Sequence, residues 1–373
     1  MRKTAIKRKR KTGIGHAKTV ASTKVLNHEE RKQMFLDITD SLETVLSGGR
    51  LCVTNKNLGN AIQMKNRFGS PSAFGEAWIG FTFKNGYKVA VKKMPLGQDD
   101  QKESYTDKQL LSGDSAWAEM AAYMFCSILV MAKVCPNLPI LYKYFWCPTC
   151  KFENKQIKPS QQPCLLVVNE LADGDLKMYL EKKTHIWNPA LVTNCLFQIA
   201  AGLYSLEKFY DLTHNDLHFG NILVHEVKPG GFWHYKIDGA NYYVPNMGYL
   251  FVLWDFGMAH IPGKIRGRPE FYTMAASPVP SETDIGRIAA VMYDPLSTKG
   301  KKFMGKKQHE ILGLIMKNET RQQSVKEILD NYFREYRAHR KPADDQILDS
   351  YNMDISIASL KSAHPAELRK FLK

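Results

Sequence analysis

His214-Asn215-Asp216-Leu217-His218-Phe219-Gly220-Asn221, running into the strand-like Ile222-Leu223-Val224, is the stretch on which the reading of this chain turns. Its spacing is H-x-D-x-x-x-x-N. Moving a phosphoryl group onto a hydroxyl needs a carboxylate to orient and deprotonate the acceptor, and a nearby amide oxygen to hold a divalent metal. Asp216 and Asn221 have the residue types and the separation for those two tasks.

Downstream, the apolar run Leu250-Phe251-Val252-Leu253-Trp254 delivers Asp255-Phe256-Gly257. A carboxylate at the end of such a strand is suited to chelate Mg²⁺ that bridges nucleotide phosphates. Upstream, Ala77 to Phe83 and Tyr87 to Val91 read as two antiparallel strands joined across Asn85-Gly86, a strong hairpin signal. The second strand continues Val89-Ala90-Val91-Lys92, which places a lysine where its ammonium reaches the α- and β-phosphates. Such a buried lysine needs an anionic partner. Glu119, on a helix expected over Ala116–Lys133, is the candidate, and Glu103, in the polar stretch from Gln98 to Ser115, is its rival.

Around these motifs, Glu29 to Leu46 has helical spacing at Met34, Ile38, Leu42 and Leu46. The runs Ile140–Trp146 and Cys164–Val168 complete a small sheet, and Pro189 to Phe209 puts Leu191, Cys195, Leu196, Ile199 and Leu203 on one helical face. Asn221 and Asp255 are 34 positions apart, and two β-prone runs flanking Asp238-Gly239 read as an inserted hairpin. Residues 308–373 read as helical, and Lys299–Lys307 as an exposed connection. Three units are expected: a basic disordered tail over 1–28, a first lobe with an N-terminal helix over 29–170, and a second lobe over 171–373.

The chain has 373 residues and a formal net charge of +15. Nine lysines and arginines precede the first acid, Glu29, five of them consecutive at Lys7–Lys11. Like charge without large apolar residues cannot offset ordering entropy, so two readings stand for this tail: a solvated arm, or contact with nucleic acid, an acidic partner or nuclear import. No apolar stretch follows its charges, and the longest near-apolar run, Met120–Ala132, is short of the ~20 residues that span a bilayer. A soluble intracellular protein without membrane partners is expected. Seven cysteines, an odd number, point to a reducing compartment. Cys147-Pro-Thr-Cys150, with Cys135 and Cys164 on either side, is read as reduced cysteines in a loop between two strands rather than a zinc site, because no second CxxC closes the coordination.

With these motifs in order, the chain resembles the eukaryotic-type protein kinase superfamily over roughly residues 68–290. The resemblance implies an α+β, bilobal protein-kinase-like fold with a small β-rich N-lobe and a mainly helical C-lobe, and ATP bound between the lobes with Mg²⁺ or Mn²⁺. On that match Asp216, Lys92, Asn221 and His218 are the catalytic set, and Asn221 and Asp255 hold the metal. Ser70, Ser72 and Gly75 cover the phosphates. Glu170 and Ala172 form the hinge at adenine, Asn169 is the gatekeeper, Asp173 or Asp175 lies near the ribose, and Asp284 braces the catalytic loop. The match has departures. Ser70 and Ser72 stand where two glycines usually sit. Asn215 replaces the arginine that pairs with a phosphorylated activation loop, and His218 replaces a lysine.

The D-L-H-x-G-N form, the inserted hairpin and the basic tail are together similar to serine/threonine kinases of large DNA viruses, which implies protein substrates and a host cytoplasm, nucleus or virion location. The same D-L-H-x-G-N form also resembles aminoglycoside and choline kinases, whose acceptors are small molecules. A non-catalytic kinase-fold scaffold is the third reading, set against the presence of Lys92, Asp216, Asn221 and Asp255 together. Arg268-Pro269-Glu270 only partly resembles the A-P-E motif of protein-substrate kinases.

Overall fold

A computed structural model describes residues 24, 26–46, 53–54, 57–58, 61–72, 75–97, 110, 116–266, 284–293, 304–318, 325–337, 341–363, 369 and 372. Most of the basic tail, Glu103, Arg268-Pro269-Glu270 and most of Lys299–Lys307 therefore lie outside the described residues.

The first lobe is built on a seven-stranded antiparallel sheet, ordered β1-β2-β3-β4-β5-β7-β6. Its strands are β1 (Val53–Thr54), β2 (Asn57–Leu58), β3 (Ile62–Ser72), β4 (Gly75–Thr82), β5 (Lys88–Pro95), β6 (Leu141–Lys151) and β7 (Gln161–Glu170). Strand β4 alternates half-buried and buried positions along its whole length, as a strand with one face on a core must. On its inner face Gly80 has no room for a side chain, since a Cβ would stand 2.6 Å from the Ile62 methyl. The Asn85-Gly86 turn forms as expected, with Gly86 at φ 66°.

Helix α1 (His28–Leu46) packs against β6, and helix α2 (Ala116–Met131) lies behind the sheet, with thirteen of its residues buried. Glu119 is the one carboxylate among them. A short strand pair and the helices follow: β8 (Gly174–Asp175), α3 (Leu176–Lys182) and α4 (Pro189–Tyr210). Asn188 caps α4 by accepting from the Leu191 N–H at 3.0 Å, Pro189 opens its first turn, and Asp211 ends it at φ 60°. By length and composition α4 alone among the described helices could cross a bilayer, yet 89 % of its apolar window is buried inside the protein. It is the core helix of the second lobe.

The segment after Asn221 enters a three-stranded sheet, β12-β9-β8, in which β9 (Ile222–Glu226) pairs antiparallel with β12 (Tyr249–Leu253). The inserted hairpin is present as β10 (Phe232–Ile237) and β11 (Ala240–Pro245), turning at Asp238 (φ 46°) and Gly239 (φ 77°). Helices α5 (Asp284–Tyr293), α6 (Lys306–Asn318) and α7 (Val325–Tyr332) complete the second lobe, with α8 (Ile357–Ala363) near its end. The fold is the bilobal, α+β kinase-like one.

Three expectations need correction. Residues 308–373 are not all helical: β13 (Ile347–Asn352) pairs parallel with β10. This six-residue strand has no long apolar run of its own and forms because the inserted hairpin offers it an edge. The tail does not extend to residue 28 either. Leu26 is buried, the Lys24 carbonyl accepts from the Lys228 N–H, and the His28 N–H donates to Asp349 Oδ2, each at 2.6 Å for the two hydrogen bonds. Finally, Cys147 and Cys150 lie within β6 rather than in a loop, and Cys150 is bonded to Cys164 as a disulfide.

Candidate active site

Lys92 sits in the middle of β5, opposite Ala77 on one side and Val167 on the other. Its ammonium lies 2.6 Å from Glu119 Oε1 and 3.0 Å from Asp255 Oδ1. Glu119 is thus the lysine's partner, from the first turn of α2. Burial opposes the charge on Lys92, but the Asp255 and Glu119 carboxylates outweigh it and raise its pKa. Burial raises that of Glu119, with Asp255 adding to it and Lys92 opposing. For Asp255 burial also acts upward, and Lys92 more than reverses it, so this carboxylate stays ionised. Asp255 has φ 62°, in the left-handed region that a non-glycine residue adopts at a cost of about 1–3 kcal/mol. The next residue, Phe256, is buried against Tyr123 and the His214 ring, which fixes the turn.

Asn221 and Asp216 are joined directly. The Asn221 amide donates to the Asp216 carbonyl at 2.8 Å and to its carboxylate Oδ2 at 3.2 Å, which leaves the amide oxygen as an acceptor. The Trp254 N–H donates to the Asn221 carbonyl at 2.8 Å, which ties this loop to the Asp255 turn. Burial raises the Asp216 pKa, with a contribution from Asp255, against the opposing His218 and His214.

His214 is a brace. Its Nε2 meets the Trp254 carbonyl at 2.8 Å, and Asp284 accepts from the His214 and Asn215 N–H groups at 2.6 and 2.7 Å. His218 Nδ1 accepts from the Gly220 N–H at 3.0 Å, which leaves the proton of a neutral ring on Nε2. Asn215 has φ 64°, and its amide holds Thr213 Oγ1 and the Met258 carbonyl.

The remaining predicted residues are placed as follows. Ser70 and Ser72 lie in β3 beyond a register shift, and Ser72 pairs with Gly75. A Cβ on Gly75 would stand 2.6 Å from the Lys93 carbonyl oxygen and 3.6 Å from Lys92 Cε, so only glycine lets the chain pass this close to the lysine. Glu170 ends β7, but its side chain turns away into a buried ion pair with Arg31, at 2.7 Å. Asp175 caps α3 by accepting from the Met178 N–H at 2.7 Å, and Asp173 accepts from the Glu226 N–H at 2.8 Å. Ala172 lies between β7 and β8. Asn169 is fully buried, and neither of its amide atoms meets a hydrogen-bond partner among the described residues.

Sequence reasoning missed Arg31. A basic residue in the first turn of an amphipathic helix carries no local sign that it will be buried against a hinge 139 positions on.

The donor set fits nucleotide and metal. The Lys92 ammonium meets two carboxylates, Glu119 and Asp255, and Asp216 adds a third beside Asp255, which leaves negative charge for a cation to neutralise. Asp255 and Asn221 present oxygen donors only, the preference of a hard divalent ion such as Mg²⁺. The orphaned Asn169 amide, which costs about 1–3 kcal/mol while unpaired, is a polar edge suited to a base.

The two lobes, with a lysine–glutamate pair on the first and an aspartate–asparagine loop on the second, define a kinase-like protein. The chain belongs to the haspin-like kinase domain family, whose family model matches residues 14–263. It is 27% identical over 252 residues to a "Probable serine/threonine-protein kinase" of Invertebrate iridescent virus 6, which covers 65% of this chain and 43% of that protein. It is 29% identical over 264 residues to a "Putative serine/threonine-protein kinase" of Frog virus 3 (isolate Goorha), covering 67% of this chain and 30% of that protein. The chain therefore spans less than half the length of these curated relatives, and it resembles kinases of large DNA viruses.

Proposed function

We propose that this chain is a protein kinase that transfers the γ-phosphoryl group of ATP to serine or threonine hydroxyls of protein substrates with the help of Mg²⁺. The observation that carries the reading is the Lys92 ammonium bridging Glu119 and Asp255. A structural ion pair needs two members, whereas this lysine is held between the sheet and the Asp255 turn, as a group aimed at phosphates must be.

In this reading Lys92 orients the α- and β-phosphates, and Glu119 keeps it in place. Asp255 and the Asn221 amide oxygen would hold Mg²⁺, whose positive charge would offset that of the phosphates. Asp216 accepts the proton of the acceptor hydroxyl, and its amide tie to Asn221 sets its direction. His218 Nε2–H is left to donate to a phosphate oxygen. Gly75, with Ser70 and Ser72 on the preceding strand, covers the phosphates, while the backbone at Glu170 and Ala172, the boundary between the lobes, meets the base.

The test is to incubate the purified chain with γ-labelled ATP, Mg²⁺ and either basic and acidic proteins or a panel of small hydroxyl compounds. Label on serine or threonine in a protein is expected. Label only on small molecules would replace this reading with that of a small-molecule phosphotransferase, and no transfer at all would leave a nucleotide-binding scaffold.

A further inference from the structure

Cys147, Cys150 and Cys164 take no part in the site above, and strand pairing brings them together. Cys147 and Cys150 are three apart on β6, a separation that points side chains to opposite faces of a regular strand. Between them the register against β7 shifts, and this bulge buries both cysteines while Pro148 and Thr149 stay exposed. Cys164 stands directly opposite Cys147 on β7. All three are buried, with their sulfurs within 4.8 Å of one another. The third ligand thus comes from the neighbouring strand, which is why a search for a second CxxC does not find it.

We propose that in the reduced protein these three thiolates bind one zinc ion that staples the outer end of the β6–β7 pair. At a Zn–S distance of about 2.3 Å, tetrahedral ligands place their sulfurs about 3.8 Å apart, a spacing this trio reaches by small side-chain rotations. Sulfur donors select zinc over the hard ions suited to the Asp255 and Asn221 oxygens. Three sulfurs leave one tetrahedral position for a further donor. Zinc and the Cys150–Cys164 disulfide exclude each other. A phosphine reduces the disulfide to two thiols, giving up two electrons and leaving as its oxide while water supplies the oxygen and the two protons, and zinc then displaces the three thiol protons into solvent.

The staple closes an end of the sheet that is already tied inward. The buried Lys93 ammonium donates to the Lys151 carbonyl at 2.8 Å and pairs with Glu76 Oε2 at 2.8 Å, and the Asn154 N–H donates to the same carboxylate. Strand β7, which carries Cys164, also ends in Asn169 and Glu170 and pairs with the Lys92 strand. A metal here sets the register of the strand on which the nucleotide site rests.

The experiment uses the full chain, expressed with zinc in the medium and purified under a phosphine reductant. Mass-spectrometric metal analysis should find about one zinc per chain, and cobalt substitution should give an intense near-ultraviolet thiolate-to-cobalt band. Cys147→Ser and Cys164→Ser should each lose at least about tenfold in zinc affinity, whereas Cys195→Ser, a buried thiol of α4 outside the cluster, should keep it. If the serine variants do not fold, the cobalt band of the unmodified chain decides alone. Reduced wild-type protein with neither zinc nor the cobalt band would overturn the proposal. So would a mass still lighter by two hydrogens than the fully reduced chain, which would leave the trio as a disulfide site.

Discussion

Arg31 donates through Nη2 to Glu170 Oε2 at 2.7 Å and through Nε to Oε1 at 3.1 Å, so the first helix of the chain grips the residue that ends β7 and joins the two lobes. Two further guanidinium N–H groups go to the Pro136 and Leu138 carbonyls, at 2.7 and 2.9 Å. Four hydrogen bonds thus compensate the buried guanidinium, and it holds the Glu170 carboxyl below its usual range against the effect of burial.

Removing one partner strands the other charge in the core. Arg31→Met should cost about 3–5 kcal/mol in urea unfolding, and a double variant that also carries Glu170→Met should recover much of that loss. The same contacts set where the chain can be cut. Deleting residues 1–23 should leave the melting temperature unchanged, and deleting 1–31 should lower it by at least the Arg31 effect. Equal melting of the two truncations would show that helix α1 does not stabilise the fold.

His225 is packed against this pair, 3.7 Å from Glu170 Oε2, and its pKa is lowered to about 4, first by burial and then by Lys24 and Arg31 against the pull of Glu170. Between pH 6.5 and about 4 the unfolded chain takes up a proton that the folded one refuses. Stability is therefore fully present above pH 6.5 and falls as pH drops toward 4, by on the order of 3 kcal/mol from this group. His225→Leu should unfold with a flatter pH dependence across that window, and a slope equal to that of the wild type would remove His225 from this role.

Asp216→Asn should lower turnover by about 10²–10⁴-fold while leaving ATP affinity nearly intact, since in the proposed reaction the carboxylate acts on the acceptor and not on the nucleotide. Its effect on stability has the opposite sign. Burial raises the Asp216 pKa, so the ionised form opposes folding at neutral pH, and that penalty disappears as pH falls below the ordinary aspartate value of 3.8. The variant should melt at or above the wild-type temperature at pH 7, with the gain gone in acid. Asp255→Asn should instead weaken Mg·ATP binding, which calorimetry with and without Mg²⁺ would show.

Asn169 offers a second test of the nucleotide site. With both amide atoms buried and unpaired, Asn169→Leu should stabilise the ligand-free protein, by about 1–3 kcal/mol. If the amide meets the base, the same change should raise KM for ATP with little effect on kcat. A stabilised variant with unchanged KM would leave the amide as a packing residue.

The sequence carried the site better than its supports. Asp216, Asn221, Asp255 and Lys92 each lie in a short motif on a recognisable element, and Glu119 followed from the charge that Lys92 must balance. Two supports were hidden because each is a pairing over long distance: Arg31 with Glu170, and β13 with an inserted hairpin more than a hundred residues earlier. Local periodicity cannot report such partners. Asp175 was read from its residue type as lying near the ribose, whereas its carboxylate caps helix α3, and at Glu170, read as a hinge, the carboxylate is taken up by Arg31. A hinge still offers its backbone when its side chains are occupied.

Activity without phosphorylation of the segment between Asp255 and Asp284 is the last expected outcome. In many kinases an arginine beside the catalytic aspartate receives that phosphate, and here Asn215 stands in its place. Its left-handed backbone, at φ 64°, suits asparagine better than a longer side chain, and its amide bonds to Thr213 Oγ1 and the Met258 carbonyl tie the loop to the chain after Asp255. Arg287 donates to the Asn215 carbonyl, and Asp284 accepts the Asn215 N–H at 2.7 Å. The loop is thus held by amide hydrogen bonds, the Asp284 carboxylate and one buttressing arginine, none of which needs a phosphate. Tyr272, Thr273 and Ser277 lie outside the described residues, and Arg266 and Arg268 are the cations through which a phosphate there would act. The chain should be made in bacteria, treated with phosphatase, checked by mass spectrometry for unmodified Tyr272, Thr273 and Ser277, and compared in initial rate with the untreated protein. Rates should agree within about twofold, too small a difference for a charge-assisted phosphate–arginine lock. A large drop that re-phosphorylation restores would show instead that Arg266 or Arg268 has taken over the missing arginine's task.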